Sequence, residues 1–279
     1  MKLKQIYFFM KKFSVEILPR QKSKIYDLPN EYFKDIYITH IPGSPTDELI
    51  QTSELVLKEG FNPVPHIPAR SFRSHEDAFD LLNSLKNTGV KTLLTIGGST
   101  KKTSGSFLST MDMYQSGVLN TLNFEEIRIA GHPEGNPDDT NSALSLLNKL
   151  RWLNNLKVKI SIVTQFCLSY EITNRWIIET NNLIKDNKFN AELNIGIAGP
   201  AKITTLIKYA KVCGVSASKN FLMKQGFDVA KILKLDPNSI INHLKGYDNL
   251  HFFPFGGIHE LTKWVKGNNY IFDIRNDEK

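Results

Sequence analysis

Short runs of apolar, β-branched or aromatic residues recur along the chain. Each closes on polar, Gly or Pro residues, and each is followed by a stretch with helical spacing. The runs cover residues 13–18, 35–40, 62–68, 90–97, 125–131, 158–165, 193–198 and 249–255. Period-two alternation in the first sends Phe13, Val15 and Ile17 to one face and Ser14, Glu16 and Leu18 to the other. Helical spacing covers 46–59, 74–88, 138–153, 170–186, 202–212, 219–233, 238–244 and 259–266. Thr46 and Gly60 bound the first helix as cap and stop. Ser74 caps the second, with Asp77 at the capping-box position and Gly89 past its end. The segment 103–121, which carries two glycines, fits neither period.

Eight alternations of strand and helix are the arithmetic of a (β/α)8 TIM barrel, typically ~250 residues. The chain therefore reads as one α/β barrel domain over residues 1–279. An open doubly wound sheet is the alternative, weakened because no Gly-x-Gly-x-x-Gly follows the first strand. Two connections, 99–123 and 216–247, are longer than a minimal barrel needs.

Composition narrows the class without changing it. At 41% hydrophobic and 23% charged, the chain has material for a large core, and global disorder is excluded. Two cysteines, Cys167 and Cys213, cannot build a disulfide framework and suggest a reducing compartment. The net charge of +7 is spread as scattered lysines, with no zinc-finger spacing, RNA-binding aromatic signature or long basic tract, so no nucleic-acid partner is expected. The apolar run 6–10 near the start is shorter than the ~7–15 residues of a signal peptide. No run reaches the ~20 apolar residues of a membrane span. The expectation is a soluble, cytoplasmic protein with no membrane partner; homo-oligomerisation stays open.

In barrel enzymes the chemistry sits at the C-terminal ends of the strands. Those ends carry Glu16, Thr39-His40, Pro65-His66, Gly97-Gly98-Ser99-Thr100, Gly131-His132-Pro133-Glu134-Gly135-Asn136, Thr164-Gln165, Gly196-Ile197 and Gly256-Gly257. One rim thus gathers a carboxylate, hydroxyls, imidazoles and an amide. Glu16 lies in an apolar strand, which is costly unless it is paired or protonated. Pairing with a lysine or arginine of a neighbouring strand is the structural alternative to a catalytic role. Gly97-Gly98-Ser99-Thr100 with Lys101 and Lys102 can cradle a phosphate through backbone N–H groups, or form a basic surface loop. The rim shows no carboxylate cluster or His/Cys spacing suited to a metal, and none is expected.

These residues resemble the methylenetetrahydrofolate reductase family over nearly the whole chain, in the same order. Ser14-Val15-Glu16-Ile17-Leu18-Pro19 is similar to its Phe-Glu-Phe-Phe-Pro-Pro strand, and Tyr37-Ile38-Thr39-His40 to Val-Thr-Tyr-Gly. Pro65-His66-Ile67 resembles Pro-His-Leu. Ala130-Gly131-His132-Pro133-Glu134-Gly135-Asn136-Pro137 resembles Ala-Tyr-Pro-Glu-x-His-Pro. Val163-Thr164-Gln165-Phe166 matches Ile-Thr-Gln-Phe, and His251-Phe252-Phe253 matches His-Phe-Tyr. The resemblance implies a barrel that binds FAD, takes a hydride from NAD(P)H and reduces 5,10-methylenetetrahydrofolate to 5-methyltetrahydrofolate, or runs the reverse oxidation. It implies Glu16 as the acid that opens the folate imidazolidine ring, with apolar burial expected to raise its pKa. It places Gln165, Tyr209 and Ser99 at the substrate. Thr39, His40, His66, Gly97, Gly98, Ser99, His132, Asn136, Ser145, Asn148 and Arg151 fall at the flavin, with Arg151 and the 99–102 loop suited to its phosphates.

The departures fall mainly on the cofactor side. An Arg-Gly-Asp in the family reads Gly97-Gly98-Ser99 here, Ser145 replaces an Asp, Trp152 replaces a Lys, and Pro254-Phe255-Gly256-Gly257 replaces Thr-Leu-Asn-Arg. Three readings follow: a divergent FAD-dependent reductase, a relative acting on a folate with altered cofactor use, or a folate- or pterin-binding or methyl-transfer partner without a redox step.

Overall fold

The computed structural model describes residues 12–41, 43–98, 104–215 and 234–268. Its strands are β1 (Phe13–Ile17), β2 (Phe33–Ile38), β3 (Asn62–Pro68), β4 (Thr92–Ile96), β5 (Glu126–Gly131), β6 (Lys159–Thr164), β7 (Ala191–Ala198), β8 (Ala201–Lys202), β9 (Lys234–Leu235) and β10 (Asn249–Phe253). β1–β7 and β10 close into a parallel barrel in the order β1-β10-β7-β6-β5-β4-β3-β2. The open-sheet alternative is therefore excluded. β8 and β9 pair antiparallel in a small separate ribbon that the sequence pattern did not indicate. The helices are α1 (Thr46–Lys58), α2 (His75–Asn87), α3 (Thr110–Gln115), α4 (Ser142–Leu156), α5 (Tyr170–Asp186), α6 (Ile203–Val212), α7 (Asn238–Ile241) and α8 (Ile258–Gly267). The helix expected over 219–233 lies outside the described residues.

Local chemistry explains several boundaries. Ser74 accepts from the Asp77 N–H at 3.2 Å, as expected of a cap, but the Asp77 carboxylate accepts from the Arg73 N–H instead of closing the box on Ser74. Pro45 occupies the cap position of α1 and Thr46 is its first helical residue, so Thr46 is not the cap. α4 starts four residues later than the periodicity suggests. The intervening residues are turned by Asn136 accepting from the Asp138 N–H and Asp139 from the Asn141 N–H, and Asn141 then caps the helix. After β1 the chain makes a 3-10 helix, Pro19–Asp27, where a barrel helix is usual.

The alternation in β1 holds. Phe13, Val15 and Ile17 join the large core between barrel and helices. The inward faces form tiers along the barrel axis. Nearest the N-terminal mouth, Arg128 binds Asp35, Glu126 and the Tyr37 hydroxyl, and Ser161 donates to Glu126. Above it Tyr37, Val64, Leu94 and Val163 form a small apolar plug. The Glu16 tier adjoins the plug, with Glu16 the register partner of Tyr37. Below the Arg128 tier a cavity of about 780 Å³ opens at the N-terminal mouth, rimmed by Lys34, Lys91, Glu125, Lys159 and Glu192.

Candidate active site

Glu16 is the inward residue nearest the C-terminal end of β1. Its Oε1 accepts from the Thr39 hydroxyl at 3.0 Å. Its Oε2 faces two imidazoles, His66 Nε2 at 3.6 Å from β3 and His251 Nε2 at 3.8 Å from β10. The Glu16 side chain keeps 24% of its exposure, whereas those of His66 and His251 keep 8% and 1%. The structural alternative fails in its stated form, because these partners are histidines and not a lysine or arginine.

The expected upward shift of Glu16 is also corrected. Burial pushes its carboxyl up, but the facing His251, the charge of His66 and the Thr39 hydroxyl outweigh it, and the net shift is downward. Burial lowers both histidines against the pull of Glu16. The resting tier is thus a carboxylate between neutral imidazoles, and the three groups titrate as a unit. His251 Nδ1 lies 3.0 Å from the Ser14 hydroxyl. The Tyr37 ring lies 4.2 Å from His251 and edge-on to His66 at 6.2 Å.

Around the mouth, His40 is half-buried with a buried Nδ1 that has no hydrogen-bond partner, as has His66 Nε2. His132 at the end of β5 is pushed down to about 4 by burial and by Lys149, with Asp139 opposing. Burial likewise lowers Lys149. Gln165 follows β6, its side-chain oxygen taken by the Phe166 N–H at 3.0 Å. An aromatic wall runs from the mouth inward. Tyr209 on α6 stacks on Phe255 at 4.2 Å, Phe255 on Phe253 at 5.6 Å, and Phe253 meets His251 at 4.7 Å.

Gly97 and Gly98 do not border open space. A Cβ on Gly97 would stand 3.0 Å from Arg70 Nη1, and one on Gly98 2.9 Å from the Pro68 ring. Arg70 donates to the carbonyls of Gly98 and Leu108 at 2.8 and 2.7 Å, fastening the connection after β4. Ser145 on α4 is half-buried, while Asn148 and Arg151 are exposed. Trp152 lies flat on Tyr114 at 4.6 Å. Asn136 is tied into its own turn. Ser99 and the basic residues after it lie outside the described residues.

Sequence reasoning missed Arg70, and it missed the Ser14–His251 contact. Alternation from Asn249 would have turned His251 inward beside Ser14. Nothing local marks Arg70, whose partners are 28 and 38 residues away. Among the described residues no three His, Cys, Asp or Glu side chains are grouped to hold a metal ion, and no helix is long and apolar enough to cross a membrane.

No protein-family profile matches the chain. Its fold is similar to that of dihydropteroate synthase from Thermus thermophilus in complex with 6HMPPP, with a TM-score of 0.50 and 10% identity over 94% of this chain and 92% of that one. It is also similar to N-acetylneuraminate lyase from Fusobacterium nucleatum, with a TM-score of 0.48 and 13% identity over 97% of this chain and 82% of that one. The first likeness is one of barrel fold alone, and the second adds nothing to it.

Proposed function

We propose that this barrel is a flavin-dependent oxidoreductase of one-carbon metabolism, of the methylenetetrahydrofolate reductase type. It would reduce 5,10-methylenetetrahydrofolate to 5-methyltetrahydrofolate with NAD(P)H, or run the reverse. The observation that carries the reading is Glu16, seated inward at the C-terminal mouth and hydrogen-bonded to Thr39, with two imidazoles on its second oxygen.

Opening the imidazolidine ring to an iminium needs a proton at a ring nitrogen. The tier rests as a carboxylate between neutral imidazoles, so this proton has to be delivered to Glu16 when a ligand covers it. The general acid in this reading is the Glu16–His66–His251 cluster, with Glu16 Oε2 as the delivering atom. Tyr209 and Phe255 offer flat apolar surface to a pterin or aminobenzoyl ring, and Gln165 offers an amide to its mixed donors and acceptors.

The flavin would supply hydride transfer. The unpartnered Nδ1 of His40 suits the polar edge of an isoalloxazine, with the His66 ring beside it. They would hold it together with Thr39, Gly98, His132 and Asn136. Ser145, Asn148 and Arg151 are the residues of α4 within the same assignment. A second reading, a folate enzyme without flavin, is favoured by one feature: the Arg70 guanidinium fills the space beside Gly97.

The test has two parts. Protein purified without added cofactor should carry a flavin absorbance band or regain one on titration with FAD; refusal of both FAD and FMN at high micromolar concentration removes the first reading. Glu16→Gln should leave flavin reduction by NADH intact and slow the folate half-reaction by ~10²–10⁴. An unslowed folate half-reaction in a stable mutant would remove Glu16 from the chemistry.

A further inference from the structure

The Glu16 tier is connected to both ends of the barrel. Ser14 and His251 are register partners on β1 and β10. The Ser14 hydroxyl is 3.0 Å from His251 Nδ1, and His251 Nε2 is 3.8 Å from Glu16 Oε2. Ser14, itself 2% exposed, also lines the cavity at the N-terminal mouth, beside Asn194 and Asn249. We propose that Ser14 and His251 form a proton relay from this cavity to Glu16, which recharges the carboxyl from behind while a ligand fills the C-terminal mouth. The relay rests on the reading of Glu16 as proton donor and names the route by which its proton arrives.

The front route closes by the nature of the site, because the exposed quarter of Glu16 is the part a ligand must cover. The rear route avoids the apolar plug, because Ser14 and His251 stand on β1 and β10 and the plug residues on β2, β3, β4 and β6. The Tyr37 and Phe253 rings hold the imidazole at 4.2 and 4.7 Å. The titratable and charged groups facing the relay are Glu16 on β1, Asp35 and Tyr37 on β2, His66 on β3 and Arg128 on β5, and the Glu16 charge also reaches Cys213 past α6. Arg128 disfavours an imidazolium at His251 and Asp35 partly offsets it, so the protonated ring is a passing state of the relay and not a resting one.

The Ser14 hydroxyl also lies 3.4 Å from the Leu250 carbonyl, a second place for its hydrogen; in the relay's resting state its O–H is turned to Nδ1 and the His251 Nε2–H faces Glu16. The Ser14 oxygen takes a proton from cavity water as its own hydrogen passes to Nδ1. The imidazolium so formed gives its Nε2 hydrogen to Oε2. Glu16 is then the acid, and His251 is neutral with its hydrogen on Nδ1. After Glu16 has given up that proton and product has left, mouth water reprotonates Nε2 through Glu16. The Nδ1 hydrogen drains through Ser14, and the first tautomer returns. The 3.8 Å gap exceeds a hydrogen bond, as catalytic contacts often do before substrate tightens them.

The test reads ring hydrogens and not turnover, so it stands or falls apart from the folate assignment. In protein labelled with ¹⁵N-histidine, His251 should be the Nε2–H tautomer in the wild type and lose that single tautomer in Ser14→Ala. In a Glu16→Gln background, which blocks proton passage from the front, exchange of the His251 ring hydrogen with solvent should slow at least tenfold on adding Ser14→Ala. Adding Ser14→Thr, which keeps the hydroxyl, should leave it fast. Equal exchange in all three, or an Nδ1–H tautomer in the wild type, overturns the relay.

Discussion

Arg128 is the residue whose removal the barrel should tolerate least. It is 5% exposed, and its guanidinium serves three partners at once. Nη2 reaches Asp35 Oδ2 at 2.6 Å and Glu126 Oε2 at 3.1 Å, Nε reaches Glu126 Oε1 at 3.0 Å, and Nη1 reaches the Tyr37 hydroxyl at 2.7 Å. Arg128→Met fills similar volume but strands two buried carboxylates, and breaking such a set costs ~3–5 kcal/mol. That is at least a fifth of the roughly 5–15 kcal/mol by which a domain is stable. At ~2–4 °C per kcal/mol for a chain of this size class, Tm should fall by about 6–20 °C. The assay is thermal unfolding of Arg128→Met beside the triple variant Arg128→Met/Asp35→Asn/Glu126→Gln. Removing the charges together should recover at least half of the loss, because the cost lies in unpaired charge and not in the missing side chain. A fall below 3 °C in the single mutant, or no recovery in the triple, would refute this account.

Gly131→Ala should destabilise by ~1–3 kcal/mol through overpacking. Its Cβ would lie 2.6 Å from Trp176 Cη2, so the denaturant midpoint should drop with a change in tryptophan fluorescence. His132, at about 4 when folded against an ordinary 6.5, binds its proton more readily in the unfolded chain. Its contribution to stability is complete above 6.5, is lost as pH falls toward 4, and after solvent screening amounts to on the order of 2 kcal/mol. His132→Asn should therefore be less sensitive than wild type between pH 7 and pH 4.5 in chemical denaturation; equal sensitivity would discount the residue.

The barrel was legible because its signal is repeated. Each strand buries two faces, so β3, β5 and β6 read as near-continuous apolar runs whose ends the structure moves by a residue or less. Boundaries slipped where side chains compete with the backbone, as Asn136, Asp139 and Asn141 do before α4. Glu16 could be singled out from β1 alone, since a carboxylate among Val15 and Ile17 must find a partner. The identity of that partner could not, because it depends on barrel closure bringing β10 beside β1. The sign of its titration was misjudged for the same reason: burial is visible in the local sequence, but the two imidazoles opposite come from residues 50 and 235 positions away.

β3 contains Pro63, Pro65 and Pro68, yet it is an interior stave of the barrel. Its pairing to β4 is registered only from His66 to Pro68, past the two earlier prolines, whose missing N–H groups cannot serve a ladder. The stave is thus stiff in itself but loosely zipped along one side. Amide exchange should find this seam opening ahead of the fully registered junction between β5 and β6. The registered pairs from His66 to Pro68 and the Arg70–Gly97 shoulder fasten the end of the seam beside Glu16, so its loose stretch faces the N-terminal mouth, and the wall can part there while the Glu16 end stays closed.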